Sequence, residues 1–248
     1  MSENNLGDHI SHRFDEELEA VRNQVLKMGG LVERQVASGI SALIEHDHTL
    51  ARVVARSDVK INALEVSIDE QCTQIIARRQ PTASDLRLII SVIKTITDLE
   101  RIGDEAEKLG EYALRVENEG IRARHYEQLQ HLGDHVLKML RDSLNCFAKM
   151  DVEMALLTIA SDKRIDDEFE SVSRNLITHM MEDPREIASV LHVTWCARAL
   201  ERIGDHAKNI CEYVVYLVKG KDVRHISLEQ VAEEVDIELD IDIEDGDK

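Results

Sequence analysis

The sequence contains few of the residues that interrupt helices or build β-sheets. It has two prolines and eleven glycines in 248 residues, and aromatic residues make up 3%. Helix-forming residues dominate, and the β-branched residues recur at helical spacing rather than in alternation. This composition predicts an all-α protein. No run of about 18 apolar residues occurs, and the polar N-terminus has no stretch typical of a signal peptide, so we expect a cytoplasmic protein.

Cysteine pairs and the common catalytic motifs are also missing. The four cysteines, Cys72, Cys146, Cys196 and Cys211, form no Cys-x-x-Cys motif and lie within apolar helical patterns. They are therefore expected to be buried, reduced thiols rather than zinc ligands. The sequence has no nucleophile elbow, phosphate-binding loop, dinucleotide fingerprint or His-Glu-x-x-His, which favours a protein that is not an enzyme.

Positive charge is scarce, and this restricts the classes of partner. The net charge is −19 at pH 7. Nucleic acid is not expected as a partner, because phosphate binding needs a basic face. An acidic surface instead suits metal cations or a basic protein partner.

The main positive feature is a repeated hexapeptide. Leu-Glu-Arg-Ile-Gly-Asp occurs at Leu99–Asp104 and again, 101 positions later, at Leu200–Asp205. The identity continues at the same offset in three further pairs: Ala106/Ala207, Glu111/Glu212 and Tyr112/Tyr213. Since a chance repeat of this length is very improbable, the pattern predicts an internal duplication.

The duplication predicts the domain organisation. We expect two tandem three-helix bundles, at residues 10–118 and 119–226, followed by a tail at residues 227–248. Ten of the tail residues are acidic. The alternation of apolar and acidic residues in this tail hints at a strand, but charge repulsion favours disorder.

Apolar periodicity and turn signals predict the helices. We expect helices over residues 12–44, 49–79, 84–116, 126–149, 152–181 and 184–218. The second helix is expected to break at Ser57-Asp58, where Ser57 can cap the second piece, and the fifth near Ser161-Asp162.

Each hexapeptide carries a Glu-x-x-x-Asp pair, and residues four apart lie on one face of a helix. Like charges at this spacing cost roughly 0.2–0.5 kcal/mol, so a compensating partner is expected. A second pair precedes each copy at a matching distance from the turn near Pro81 or Pro184. The sequence therefore predicts four oxygen-bearing side chains at one height in each half: Asp58, Asn62, Glu100 and Asp104, and then Asp162, Asp166, Glu201 and Asp205.

Two interpretations of these side chains remain open. Oxygen ligands without Cys or His favour hard cations such as Mg²⁺, Mn²⁺, Ca²⁺ or iron. The alternative is a solvated charged face paired with basic residues, namely Arg101, Arg202 or Lys60. Because Leu99 and Ile102 face the core, the carboxylates are expected on the surface. His206, beside Asp205, is expected to be a surface residue or an additional ligand.

These residues carry a resemblance to the PhoU family of bacterial phosphate-signalling proteins. It rests on the two hexapeptides, the pairs Asp58/Asn62 and Asp162/Asp166, and the turn at residues 80–87, Gln-Pro-Thr-Ala-Ser-Asp-Leu-Arg. It extends from about residue 9 to residue 226. The resemblance implies two similar three-helix bundles related by a pseudo-twofold axis, with multinuclear metal sites (Fe, Mn, Mg or Zn) at the eight residues given above. Asn62 departs from the pattern, because a carboxylate is the better ligand there; Glu65 is an alternative.

The resemblance also implies a function. PhoU proteins are cytoplasmic, meet the membrane only peripherally and negatively regulate the phosphate regulon and phosphate uptake. They link the ATPase of the phosphate ABC transporter to a sensor histidine kinase, and a homodimer is expected. A carboxylate-bound metal-dependent enzyme and a metal-storage protein remain as alternatives.

Overall fold

The computed structural model describes residues 12–57, 59–116, 123–224, 226 and 230–231. Within these residues it contains seven α-helices, one short 3₁₀ helix and no strand, which confirms the all-α prediction. The helices are α1 (His12–Ile44), α2 (His48–Val54), α3 (Val59–Arg79), α4 (Ala83–Ala113), α5 (Ala123–Lys149), α6 (Val152–Glu182) and α7 (Ile187–Lys219), with the 3₁₀ turn Pro184–Glu186 before α7. None of the described helices combines the length and apolar character needed to cross a bilayer.

The predicted break in the second helix is confirmed, and the structure shows how it is made. α2 ends at Val54 and α3 begins at Val59. The Ser57 hydroxyl donates a 2.8 Å hydrogen bond to the Val54 carbonyl. Ser57 therefore satisfies the end of α2, whereas it was expected to cap the beginning of α3.

The predicted interruption near Ser161-Asp162 is wrong, because α6 is continuous. Its buried stripe runs through this position, with Leu156 and Ile165 almost fully enclosed on either side. Ser161 donates to the Thr158 carbonyl at 2.7 Å, a bond within the helix. Packing of the apolar stripe thus outweighs the weak helix propensity of Ser and Asp. The predicted domain boundary at 118/119 and the tail from residue 232 lie outside the described residues.

The two hexapeptide helices, α4 and α7, form the centre of the molecule. They make the most extensive helix contact of the fold and run antiparallel, since Asp98 meets His206 while Tyr112 meets Trp195. The apolar seam predicted on α4 is confirmed, with at most 5% exposure for all of its members: Leu99, Ile102, Ala106, Leu109 and Ala113. The corresponding residues of α7 are at most 1% exposed: Leu200, Ile203, Ala207, Ile210 and Val214. Burial of each large apolar side chain contributes about 1.5–3 kcal/mol.

A buried polar network fixes the pairing of α4 with α7. The Asp98 carboxylate is 2% exposed and lies 2.7 Å from His206 Nδ1. It also accepts hydrogen bonds from the Tyr213 hydroxyl at 2.8 Å and from the Asn209 amide at 3.2 Å. A buried carboxylate must be satisfied in this way, so the network disfavours any other register of the two helices.

The prediction for His206 is therefore wrong. His206 is 9% exposed and directed towards α4, so it is neither a surface residue nor a ligand beside Asp205. Successive residues on a helix differ by about 100° in direction, which places His206 on a different face of α7.

Candidate metal centre

Helices α6 and α7 bring the four predicted carboxylates of the second half close together. Burial raises the pKa of Asp166, and the negative charges of Asp162 and Asp205 raise it further. Burial likewise raises the pKa of Glu201, with contributions from Asp205 and Asp166. For Asp205 the causes of a raised pKa are burial and then Asp162. We call these four residues, Asp162, Asp166, Glu201 and Asp205, the second-half cluster. Negative charges on α6 and α7 repel one another across the contact between the two helices.

The cluster is partly enclosed, so the expectation of a wholly exposed site is wrong for two of its members. Asp162 is 5% and Glu201 is 8% exposed, while Asp166 and Asp205 face solvent. The cause is the packing of α7 against α6, which meet where Gly204 faces Ile165. A Cβ added at Gly204 would lie 3.4 Å from the Ile165 side chain, an ordinary van der Waals contact.

Two cations lie beside the cluster. Lys208 Nζ is 2.5 Å from Asp162 Oδ2, and Arg198 donates to Glu201 Oε1 at 2.9 Å. Burial lowers the pKa of Lys208, but the bond to Asp162 and the surrounding carboxylates raise it above its usual range. The lysine therefore stays charged and neutralises part of the cluster.

One oxygen of the cluster lacks a partner. Glu201 Oε2 is fully buried and has no hydrogen-bond partner among the described residues. A buried carboxylate oxygen without a donor is costly, and a hard cation would satisfy it. The chemistry of these donors therefore fits a carboxylate-bound cation. No three His, Cys, Asp or Glu side chains in the described part of the chain already stand in a ligand arrangement.

The first-half set is only partly described. Asn62 lies on α3, and Glu100 and Asp104 lie one turn apart on α4; all three are half-buried. Asp58 lies outside the described residues. The alternative ligand Glu65 lines a surface groove between the same two helices, together with Asp69, Glu70 and Thr97.

The two halves differ at one position that the sequence reasoning missed. Lys208 corresponds to Glu107 in the first copy, at the same offset of 101 residues. The second half therefore carries its own cation beside the carboxylates, and the first half carries another carboxylate at that position. Aligning the two copies residue by residue would have revealed this exchange. The predicted burial of the four thiols is confirmed, and all four are free cysteines.

The fold and the site together define a class: a duplicated helical-bundle protein with carboxylate pairs on its motif helices. The PhoU domain model matches the chain twice, at residues 25–113 and 129–214. The chain belongs to the PhoU family, and this confirms the resemblance inferred from the hexapeptides.

Characterised relatives and solved structures agree with this membership. The chain is 50% identical over 236 residues to the phosphate-specific transport system accessory protein PhoU homolog of Pseudomonas aeruginosa, covering 95% of this chain and 98% of that protein. It is 48% identical over 229 residues to the phosphate-specific transport system accessory protein PhoU of Escherichia coli, covering 91% of this chain and 93% of that one.

Two crystal structures share the fold. PhoU from P. aeruginosa superposes with a TM-score of 0.81 at 51% identity, over 84% of this chain and 100% of that chain. The phosphate transport system regulatory protein PhoU from Streptococcus pneumoniae gives a TM-score of 0.79 at 30% identity, over 85% of this chain and 99% of that one. These relatives are named as accessory or regulatory proteins rather than enzymes.

Proposed function

We propose that this protein is a cytoplasmic negative regulator of the phosphate regulon and of phosphate uptake. It acts as an adaptor that links the ATPase of a phosphate ABC transporter to a sensor histidine kinase, and it meets the membrane only through these partners. The observation that carries the proposal is that the chain is about 50% identical, over more than 90% of its length, to proteins named as accessory to phosphate-specific transport. The resemblance implies a homodimer as the working form.

The carboxylate clusters are the proposed metal sites of this adaptor. In the second half, Asp162, Asp166, Glu201 and Asp205 would hold a divalent or trivalent cation such as Fe, Mn, Mg or Zn. The unpartnered Glu201 oxygen and the mutual repulsion of the four carboxylates support this assignment. The first-half site would use Asp58, Asn62, Glu100 and Asp104. A bound cation would supply positive charge that holds α6 against α7.

A genetic experiment tests the regulatory role. In a deletion strain grown in high phosphate, we expect phosphate-scavenging genes to be expressed, and expression of the full chain should restore repression. Transcription from a phosphate-regulated reporter is the measurement. Unchanged repression in the deletion strain would contradict the proposed role.

A binding experiment tests the metal site separately. Glu201→Gln combined with Asp205→Asn should reduce the Mn²⁺ bound per chain, measured by calorimetry and elemental analysis. The matched control, Glu153→Gln with Glu170→Gln, removes two exposed carboxylates from α6 outside the cluster. Equal Mn²⁺ binding by both variants would exclude the second-half cluster as a metal site and leave the adaptor role intact.

A further inference from the structure

A basic and aromatic surface lies at one end of the α4/α7 pair and contains none of the carboxylates assigned to the two clusters. It combines residues of α2, the end of α4 and the beginning of α7. We call it the arginine–tryptophan surface, and it consists of Arg52, Arg56, Tyr112, Arg115, His192 and Trp195. Arg52, Arg56 and Arg115 line one groove together with Glu111 and Leu114.

Among the described residues, few carboxylates neutralise the positive charge of this surface, although the chain as a whole carries a net charge of −19. In the described part of the chain, no carboxylate oxygen lies within 4.0 Å of Arg52 or Arg56. Arg115 is 3.8 Å from Glu111, both well exposed, and such pairs contribute little. The pKa of His192 is lowered by burial and then by the charge of Arg115. The imidazole therefore lies within the field of the groove and is held in its neutral form.

The aromatic part of the surface is open to solvent. Trp195 is 42% exposed, and its ring centroid lies 5.3 Å from that of Tyr112. Leu191 and Ile187, one and two turns earlier on the same face of α7, are 37% and 40% exposed. Exposed apolar patches of this kind mark interaction sites, and Trp, Tyr and Arg are the residues that dominate binding energy in protein interfaces.

The counterpart of this surface in the second copy is covered by the chain itself. Tyr213 corresponds to Tyr112, and Lys94 corresponds to Trp195, at the opposite end of the α4/α7 pair. There Tyr213 is only 9% exposed, with the Lys94 ammonium 5.3 Å from its ring centroid. The segment that follows α7 packs at that end: Val223 is 4% exposed.

That covering segment, residues 220–224, places one acidic side chain, Asp222, near the lysine. A hydrogen bond from Arg224 lowers the pKa of Asp222 to about 2, and the nearby charge of Lys94 contributes to the shift. At the end bearing Trp195, residues 117–122, which follow α4, lie outside the described residues. An acidic occupant is favoured there by the three arginines that line the groove.

We propose that the arginine–tryptophan surface is a docking site for an acidic segment of a partner protein that also carries an apolar side chain. The three guanidinium groups bind its carboxylates, and the apolar side chain packs on Trp195 and Tyr112. This assignment goes beyond the proposed function, because the surface contains none of the carboxylates assigned to the metal sites and because the assignment holds whichever protein supplies the segment.

The single tryptophan of the chain provides the assay. The probe is a synthetic ten-residue peptide of alternating Glu and Leu with one central Phe, and binding is followed by Trp195 fluorescence and calorimetry on the full chain. We expect the peptide to bind with an affinity that falls as NaCl is raised. Arg52→Glu, Arg56→Glu and Arg115→Glu together should weaken binding by at least about tenfold, because electrostatic complementarity becomes repulsion.

The controls separate this surface from general charge effects. A matched triple variant, Arg13→Glu, Arg164→Glu and Arg174→Glu, makes the same charge change at exposed arginines elsewhere and should bind as the parent does. A second groove variant with Gln in place of all three arginines serves if the Glu variant does not fold, judged by helical circular dichroism. A peptide with Gln in place of Glu should not bind.

Four results would overturn the proposal. The first is no binding of the acidic peptide, and the second is equal weakening by the control variant. The third is full competition by inorganic phosphate at comparable concentration, which would make the groove a small-anion site. The fourth is tighter binding of a peptide with the sequence of residues 232–248, which would make a second copy of this chain the occupant. None of these results affects the genetic test of the proposed function.

Discussion

Replacement of Asp98 by alanine is the sharpest test of how the two halves are held together. The substitution removes the carboxylate that His206, Tyr213 and Asn209 share in the α4/α7 interface. Burial and then the charge of Asp98 raise the pKa of Tyr213, so the tyrosine stays a donor throughout the neutral range. The variant therefore leaves three donors without their acceptor, two of them on side chains that are at most 9% exposed.

The expected cost follows from the burial of these groups. A buried donor that loses its acceptor costs about 1–3 kcal/mol, and loss of one partner from a buried charged pair costs about 3–5 kcal/mol. Asn209 is half-buried and can bond to water, so we expect a total loss of about 3–5 kcal/mol. For a chain of this size that corresponds to a fall in Tm of roughly 10 °C.

Urea unfolding followed by circular dichroism measures this loss, with Asp134→Ala as the matched control. Asp134 is an exposed aspartate on α5, and its replacement should change the free energy of unfolding by less than about 0.5 kcal/mol. A loss for Asp98→Ala no larger than that of the control would refute the reasoning. The network would then not determine the pairing of the halves.

Three other substitutions test separate features. Gly110→Ala should destabilise the fold by about 1–3 kcal/mol in urea unfolding, because its Cβ would lie 2.9 Å from the α2 backbone, whereas Gly30→Ala meets no such contact. Lys208→Met should tighten Mn²⁺ binding in calorimetry by at least about tenfold, with exposed Lys163→Met as the control. Burial and then the charge of Asp162 raise the folded-state pKa of Asp205 above 3.8, so ionisation of this carboxyl group destabilises the folded protein as the pH rises. Asp205→Asn should therefore be more stable than the parent protein at pH 7, but not below pH 3.8, in thermal unfolding.

The helices and the duplication were predictable because both depend on local periodicity. The apolar seam of α4 repeats with the helical period, and so does that of α7. The turn at Pro81 and the break near Ser57 carry residues that end helices by their own chemistry. The continuity of α6 through Asp162 was not predictable in this way, because it depends on the packing of the apolar stripe against other helices, which outweighs the weak local helix propensity of Ser161 and Asp162. The cation that binds Asp162, Lys208, likewise lies 46 residues further on.

The positions of charged side chains were harder to predict than the helices. Periodicity alone assigned the carboxylates to the surface, but it cannot show that the neighbouring helix covers Glu201. The Asp98–His206 pair spans 108 residues and joins the two halves, so no short sequence pattern predicts it. The arginine–tryptophan surface is similar, since Tyr112 and Trp195 come from opposite halves of the chain and lie side by side only in the folded protein.

The neighbouring residues Asp205 and His206 connect α7 to two different helices. One side chain faces the carboxylates of α6, and the next is locked onto α4 of the other half. A turn of α7 about its own axis cannot change the first environment without disturbing the second. The surroundings of the acidic cluster and the contact between α4 and α7 are thus joined through one helix, with no intervening loop to absorb a movement.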